Sequence, residues 1–142
     1  MKNALAVLGL LVAASFAFAG EGSKDMKCPV SGKAAKKSIS YEHNGAKVYF
    51  CCKNCCKNFA KDATKFAAKA NHQIAATGQA KQTGCPFSGK KSKSSITCNI
   101  DGVTVAFCCK HCQGKVAKTA AKDRVGLVFS DKAFKKGFQV KK

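Results

Sequence analysis

Cys28-Pro29-Val30-Ser31-Gly32-Lys33, closing on Phe50-Cys51-Cys52-Lys53-Asn54-Cys55, returns 57 positions later as Cys85-Pro86-Phe87-Ser88-Gly89-Lys90, closing on Phe107-Cys108-Cys109-Lys110-His111-Cys112. Across Cys28 to Cys56 and Cys85 to Gln113, 15 of 29 positions are identical without a gap. Unrelated segments would share about one or two, so one small unit is used twice. Four cysteines fall in register: 28 with 85, 51 with 108, 52 with 109, and 55 with 112. Cys56 faces Gln113 and Cys98 faces Tyr41, so these two stand outside the shared set.

Between the cysteine blocks the chain reads as a hairpin. Ser38 to His43 and Ala46 to Cys51 flank Asn44-Gly45, and Ser95 to Ile100 and Val103 to Cys108 flank Asp101-Gly102. Asn-Gly and Asp-Gly between extended, β-branched runs signal a two-residue turn, because both turn residues must take positive φ. That turn predicts pairing of His43 with Ala46, Tyr41 with Val48 and Ile39 with Phe50, and in the second copy Ile100 with Val103, Cys98 with Val105 and Ile96 with Phe107. These side chains share the apolar face. Cys98 thereby reads as a small core hydrophobe. His43, replaced by Ile100 in the second copy, has no shared role.

A helix follows each hairpin. Positions 52, 55, 56, 59, 63, 66, 67 and 70 form a stripe of Cys, Phe and Ala with helical spacing, with lysines mostly opposite, so Phe59 and Phe66 read as core. The second helix is weaker, carried by Cys112, Val116, Ala117 and Ala120. Ile74 to Thr77 and Val125 to Phe129 are predicted to be extended, and Asn71 to Gly84 to be a linker. The expected fold class is α+β: two small tandem modules, each a β-hairpin followed by a helix, 20–70 and 85–142, the second with a C-terminal extension.

Residues 1–19 belong to a different kind of sequence. Lys2 gives a positive start, Ala4 to Phe18 is apolar apart from Gly9 and Ser15, and Ala17-Phe18-Ala19 fits the small-x-small cleavage rule. This predicts a secretory signal peptide cut after Ala19 and a location outside the cytoplasm, periplasmic or secreted. Nothing later in the chain is apolar for long enough to span a bilayer.

Modules this small need staples, and ten cysteines offer either metal or disulfides. Export favours disulfides, which makes a disulfide-stapled basic module the main alternative. Geometry favours metal. A turn presents Cys28 or Cys85, the second strand delivers Cys51 or Cys108 at its end, and Cys55 or Cys112 lies in the first turn of the helix. Helix N-termini favour thiolate, the form that binds metal. Three thiolates suit a soft or borderline ion, Cu(I) or Zn(II), about one per module. Zinc wants a fourth ligand. The in-register choices are Cys52 or Cys109, awkward because each adjoins another ligand, and the hydroxyls of Ser31 or Ser88, which are weak. A three-coordinate or exchangeable site follows more naturally than a sealed one.

The spacing Cys-x22-Cys-x3-Cys in both copies, with Gly-x-x-Val-x-Phe-Cys-Cys between, resembles the YHS and TRASH domains. The resemblance covers about 28–70 and 85–120. It implies treble-clef-like modules associated with heavy-metal sensing, trafficking and resistance, without fixing a single function. The reading drawn from the residues and the resemblance together is a non-enzymatic metal-binding protein whose expected partner is a metal-delivery or metal-accepting protein. Many YHS sequences have Asp-Pro-Val-Cys-Gly where this chain has Cys28-Pro29-Val30-Ser31-Gly32, so the first sulfur sits three residues earlier.

Cys52-Lys53-Asn54-Cys55 and Cys109-Lys110-His111-Cys112 also have the C-x-x-C spacing of thiol-disulfide oxidoreductases. A thioredoxin fold needs about a hundred residues of βαβ structure, more than a 57-residue period holds. Neither motif is followed by histidine, which excludes haem attachment. The formal charge is +19, with 25 lysines and one arginine, Arg124. Such a chain attracts polyanions, yet the near-absence of arginine, which reads guanine edges bidentately, argues against specific nucleic-acid recognition.

Overall fold

The computed structural model describes residues 26–142, so the predicted signal peptide lies outside the described residues. The fold is α+β. Strands β1 (Lys36–His43) and β2 (Ala46–Phe50) are followed by helices α1 (Lys53–Lys61) and α2 (Ala63–Ala76) and a short strand β3 (Ala80–Gln82). The second half follows the same order with one added helix: β4 (Lys93–Ile100), β5 (Val103–Phe107), α3 (Lys110–Lys118), α4 (Ala121–Phe129), α5 (Asp131–Gly137) and β6 (Phe138–Val140). No helix of the described residues is long and apolar enough to cross a membrane.

Both hairpins turn as their sequences require. Asn44 and Gly45 sit at φ 52° and 80°, Asp101 and Gly102 at 48° and 89°. The pairs His43 with Ala46, Tyr41 with Val48, Ile100 with Val103 and Cys98 with Val105 form as predicted. Beyond them the register shifts. Ser40 pairs with Tyr49 but Lys36, not Ile39, lies opposite Phe50; Thr97 pairs with Ala106 and Lys93, not Ile96, lies opposite Phe107. A bulge inserts extra residues into the first strand and bends it, so Ile39 and Ile96 pack against the core rather than beside the phenylalanines. Tyr41 stays 41% exposed and offers only its ring to Phe59, at 5.8 Å in an edge-on arrangement.

The predicted single helix after the first hairpin is two. Asp62 (φ −146°) breaks it and caps α2, accepting hydrogen bonds from the Lys65 amide at 3.3 Å and the Thr64 hydroxyl at 2.7 Å. The apolar spacing runs through this break undisturbed, so it gave no warning of the bend. Phe59 is fully buried and meets Phe50 at 5.2 Å; Phe66 is partly buried. Burying one such ring stabilises the fold by about 2 kcal/mol.

The segments expected to be extended are helical. Ile74 to Ala76 finish α2, with Thr77 as its C-cap, and Val125 to Phe129 belong to α4. Val128 and Phe129 are fully buried, and α4 packs on α2. Tertiary burial overrides the β preference of a short branched run. Residues 71–84, read as a linker, instead carry the buried Asn71, Gln73 and Ile74 and then β3, which pairs antiparallel with β6 (Ala80 with Val140, Gln82 with Phe138). The Thr83 and Gly84 amides both donate to Gly137 O, at 2.8 and 3.2 Å. Gly137 permits this approach: a Cβ there would lie 2.9 Å from Pro86 Cα. A single hydrophobic cluster joins Phe50 and Phe59 of the first repeat to Phe107 and Val116 of the second.

Polar side chains complete the joints. Asn71, fully buried, donates to Phe129 O at 3.0 Å and to Asp131 at 2.8 Å, and accepts from Asn44 at 3.0 Å. It thus ties the first hairpin turn to α5. Gln73 accepts from the Tyr49 amide at 2.7 Å and donates to Tyr49 O and Lys27 O, both at 2.9 Å. Gln82 does the same at the equivalent places of the second repeat: it accepts from the Ala106 amide at 2.9 Å and donates to Ala106 O at 2.6 Å and Gly84 O at 2.9 Å. The two glutamines come from different elements and are not in register.

Candidate metal centres

Each cysteine turn closes the same way. The Cys28 amide donates to Lys33 O at 2.7 Å and the Gly32 amide to Cys28 O at 2.8 Å, with Gly32 at φ 74°. Cys85, Lys90 and Gly89 reproduce this at 2.8 Å, 2.8 Å and 72°. The turn aims its cysteine inward, where Cys28 and Cys85 are 1% and 0% exposed. The strand ends at Phe50 or Phe107, the next residue is Cys51 or Cys108, and one turn into the helix comes Cys55 or Cys112.

Three sulfurs meet in each repeat. Those of Cys28, Cys51 and Cys55 all lie within 4.8 Å of one another, and so do those of Cys85, Cys108 and Cys112. Cys51 and Cys55 are 3.5 Å apart, Cys108 and Cys112 3.7 Å. A tetrahedral zinc–thiolate site, with bonds of about 2.3 Å, sets its sulfurs about 3.8 Å apart, whereas a disulfide needs about 2.05 Å. The donor set and its spacing therefore fit a soft or borderline ion.

The sulfurs differ in protonation for stated reasons. Burial pushes the Cys28 thiol up, but backbone hydrogen bonds from Ser31 and Cys51, with the Ser31 hydroxyl and the Val30 amide, more than offset it and leave it at about 7. Cys85 is likewise raised by burial and lowered further by the amides of Cys108, Ser88 and Phe87, to about 6. Cys55 is pushed up to about 12, first by burial, then by Cys51 and Cys52 and the negative charge of Cys28. Cys112 reaches about 12 through burial and its neighbours Cys108, Cys109 and Cys85. One sulfur of each trio thus favours charge while another resists it. Crowded thiolates repel one another, and a bound cation removes that conflict while releasing protons.

The remaining predicted ligands, Cys52 and Cys109, stand beside the trios. Each is the N-cap of its helix with extended backbone, at φ −156° and −157°. Their thiols are held below the ordinary value, Cys52 chiefly by the Cys55 amide and Cys109 by the Cys112 amide. Adjacency in sequence does not separate them from the strand-end sulfurs: Cys52 lies 3.8 Å from Cys51 and Cys109 3.7 Å from Cys108. Ser31 and Ser88 bring their hydroxyls to 3.2 and 3.3 Å from the sulfurs of Cys51 and Cys108.

The other cysteines and the histidines lie outside the trios. Cys56 reaches Ser40 O at 3.8 Å, and its counterpart Gln113 donates to Thr97 O at 2.8 Å, so both hold the bulge of their hairpin. Cys98 is partly buried against the core. His72 places Nε2 3.0 Å from Ile100 O, joining α2 to the second hairpin, and His111 is exposed and outside the trio. His43 is held low by burial, opposed by the charge of Asp131. Sequence reasoning missed Asn71, Gln73 and Gln82, whose partners are distant in the chain and carry no local pattern. No protein-family model, characterised protein or solved structure matches the chain.

Proposed function

We propose that this is an exported protein that takes Cu(I) or Zn(II) as cargo, one ion per sulfur trio, for sequestration, trafficking or resistance, and that it is not an enzyme. The observation that carries the reading is the double convergence: the same turn, strand end and helix start bring three sulfurs within 4.8 Å twice. The likeness of the motifs to YHS and TRASH modules, and the leader-like residues 1–19, support the heavy-metal role and a periplasmic or secreted location. A metal-delivery or metal-accepting protein would be its partner.

Native mass spectrometry of the anaerobically purified mature protein is expected to show about two metal equivalents, one for each trio. The Cys55→Ser, Cys112→Ser double variant is expected to lose them. Freshly isolated protein with neither free thiols nor metal would instead establish the disulfide-stapled alternative. One observation favours a second reading: Cys52 is exposed at a helix N-terminus with its thiol held low, as a reactive C-x-x-C cysteine requires. Turnover in an insulin-reduction assay above the dithiothreitol background would support that reading, and none is expected.

A further inference from the structure

Each trio leaves one sulfur outside. Cys52 is exposed and Cys109 half-buried, whereas Cys28 and Cys85 are sealed from solvent. Cys51 and Cys108 are half-buried, each within 3.8 Å of its outer neighbour and also a member of its trio. A separation of 3.7–3.8 Å is the edge of a shared coordination sphere with bonds of about 2.3 Å, so one ion can touch both sulfurs at once.

Resting on the metal-cargo reading, we infer that Cys52 and Cys109 are exchange ligands, the sulfurs through which a soft ion enters and leaves its trio. The step conserves bonds and electrons. The outer thiolate gives an electron pair to the ion as the bond to the inner sulfur of Cys28 or Cys85 breaks, and that sulfur keeps its pair. The ion remains three-coordinate and its oxidation state does not change. Backbone amides around Cys28 and Cys85 are already placed to receive the released thiolate, and the ion then rests on Cys51, Cys55 and Cys52, or on Cys108, Cys112 and Cys109, open to an incoming acceptor thiol. A strained two-coordinate intermediate is avoided.

The two repeats differ in a direction this route explains. Cys55 is partly exposed but Cys112 is 7% exposed, and Cys52 is exposed but Cys109 only partly so. Phe87 replaces Val30 in the second cysteine turn and stacks on Phe107 at 5.8 Å, adding cover to that side. The first trio is therefore the faster exchanger.

The test loads mature protein with Zn(II) and follows transfer to excess 4-(2-pyridylazo)resorcinol by stopped flow. Wild type is expected to release two equivalents in two phases, and Cys112→Ser, which removes the second site, is expected to keep the faster one. Cys52→Ser is expected to retain both equivalents but slow that phase by about tenfold, and Cys109→Ser to slow only the other. Serine is a preferred N-cap, so these variants keep the helix start. Cys52→Ala, which removes the sulfur without supplying a capping hydroxyl, is expected to slow release equally. Unchanged rates in Cys52→Ser would overturn the inference, as would loss of an equivalent, which would make Cys52 a resident ligand. A wild-type protein that holds no ion would overturn the cargo reading itself.

Discussion

At the first trio Val30 stands in the cysteine turn, and Cys52 and Cys55 meet solvent; at the second, Phe87 takes Val30's place against Phe107, and Cys112 is buried. The backbone beneath is nearly the same, down to the N-cap dihedrals. Ligand geometry is thus fixed by the repeated turn, strand and helix start, while solvent access is set by the unrepeated side chains around them. The helices show a complementary contrast. Phe59 of α1 packs among Tyr41, His43, Phe50 and Phe66, whereas its in-register counterpart in α3 is Val116, also fully buried but without the rings.

That contrast has a large expected effect. Phe59→Ala should lower stability by about 3–5 kcal/mol, and Val116→Ala by about 2 kcal/mol, measured by urea denaturation in reducing buffer. Because one core joins the repeats, each variant should unfold in a single transition. Two transitions would show that the repeats fold separately and break the comparison.

Asn71 probes the joint between the halves. Asn71→Ala leaves the Asp131 carboxylate and Phe129 O short of a donor, and should cost about 1–3 kcal/mol, again by denaturation. Asn71→Asp should cost more, since it places a carboxylate against Asp131. Of the two strand-bridging amides, Gln73 is 3% exposed and Gln82 only partly buried, so Gln73→Ala should lose more than Gln82→Ala, with both within about 1–3 kcal/mol. Equal losses would remove burial as the distinguishing cause.

The smallest effect is a difference in pH dependence of the reduced, metal-free protein. Cys28 and Cys85 are lowered from 9.0 to about 7 and about 6, so their stabilisation is fully present above 9.0 and is lost as pH falls through those folded values. Cys55 and Cys112 act oppositely. Their folded values near 12 favour unfolding once pH rises above 9.0, where the unfolded chain ionises and the folded one does not. Thermal midpoints should therefore peak on the mildly alkaline side. Cys85→Ser, which leaves Cys28, should lose its acid-side stability nearer pH 7, and Cys28→Ser, which leaves Cys85, nearer pH 6. Coincident profiles would mean that the two turns do not differ in how they hold a thiolate.

Much of each trio was legible from residues 28–55 alone, because its geometry is local in kind: a Gly-containing turn, an Asn-Gly hairpin and a helix start each follow from a few neighbouring residues. The strand register near Phe50 was not legible. A bulge depends on contacts such as Gln113 with Thr97 O that no strand pattern encodes. The short runs Ile74–Thr77 and Val125–Phe129 read as extended by composition, yet folded as helix because α2 and α4 bury them against each other.

By itself the sequence determined the repeat, both hairpin turns, the α+β class and the six sulfurs that meet. Tertiary structure alone decided that residues 71–84 are packed structure, that β3 and β6 join the halves, and that Asn71, Gln73 and Gln82 seal the joints. It also set how deeply each sulfur lies. The reason is range: turns and helix starts are fixed by forces between near neighbours, whereas burial and the satisfaction of buried polar groups depend on chain segments that meet only after folding.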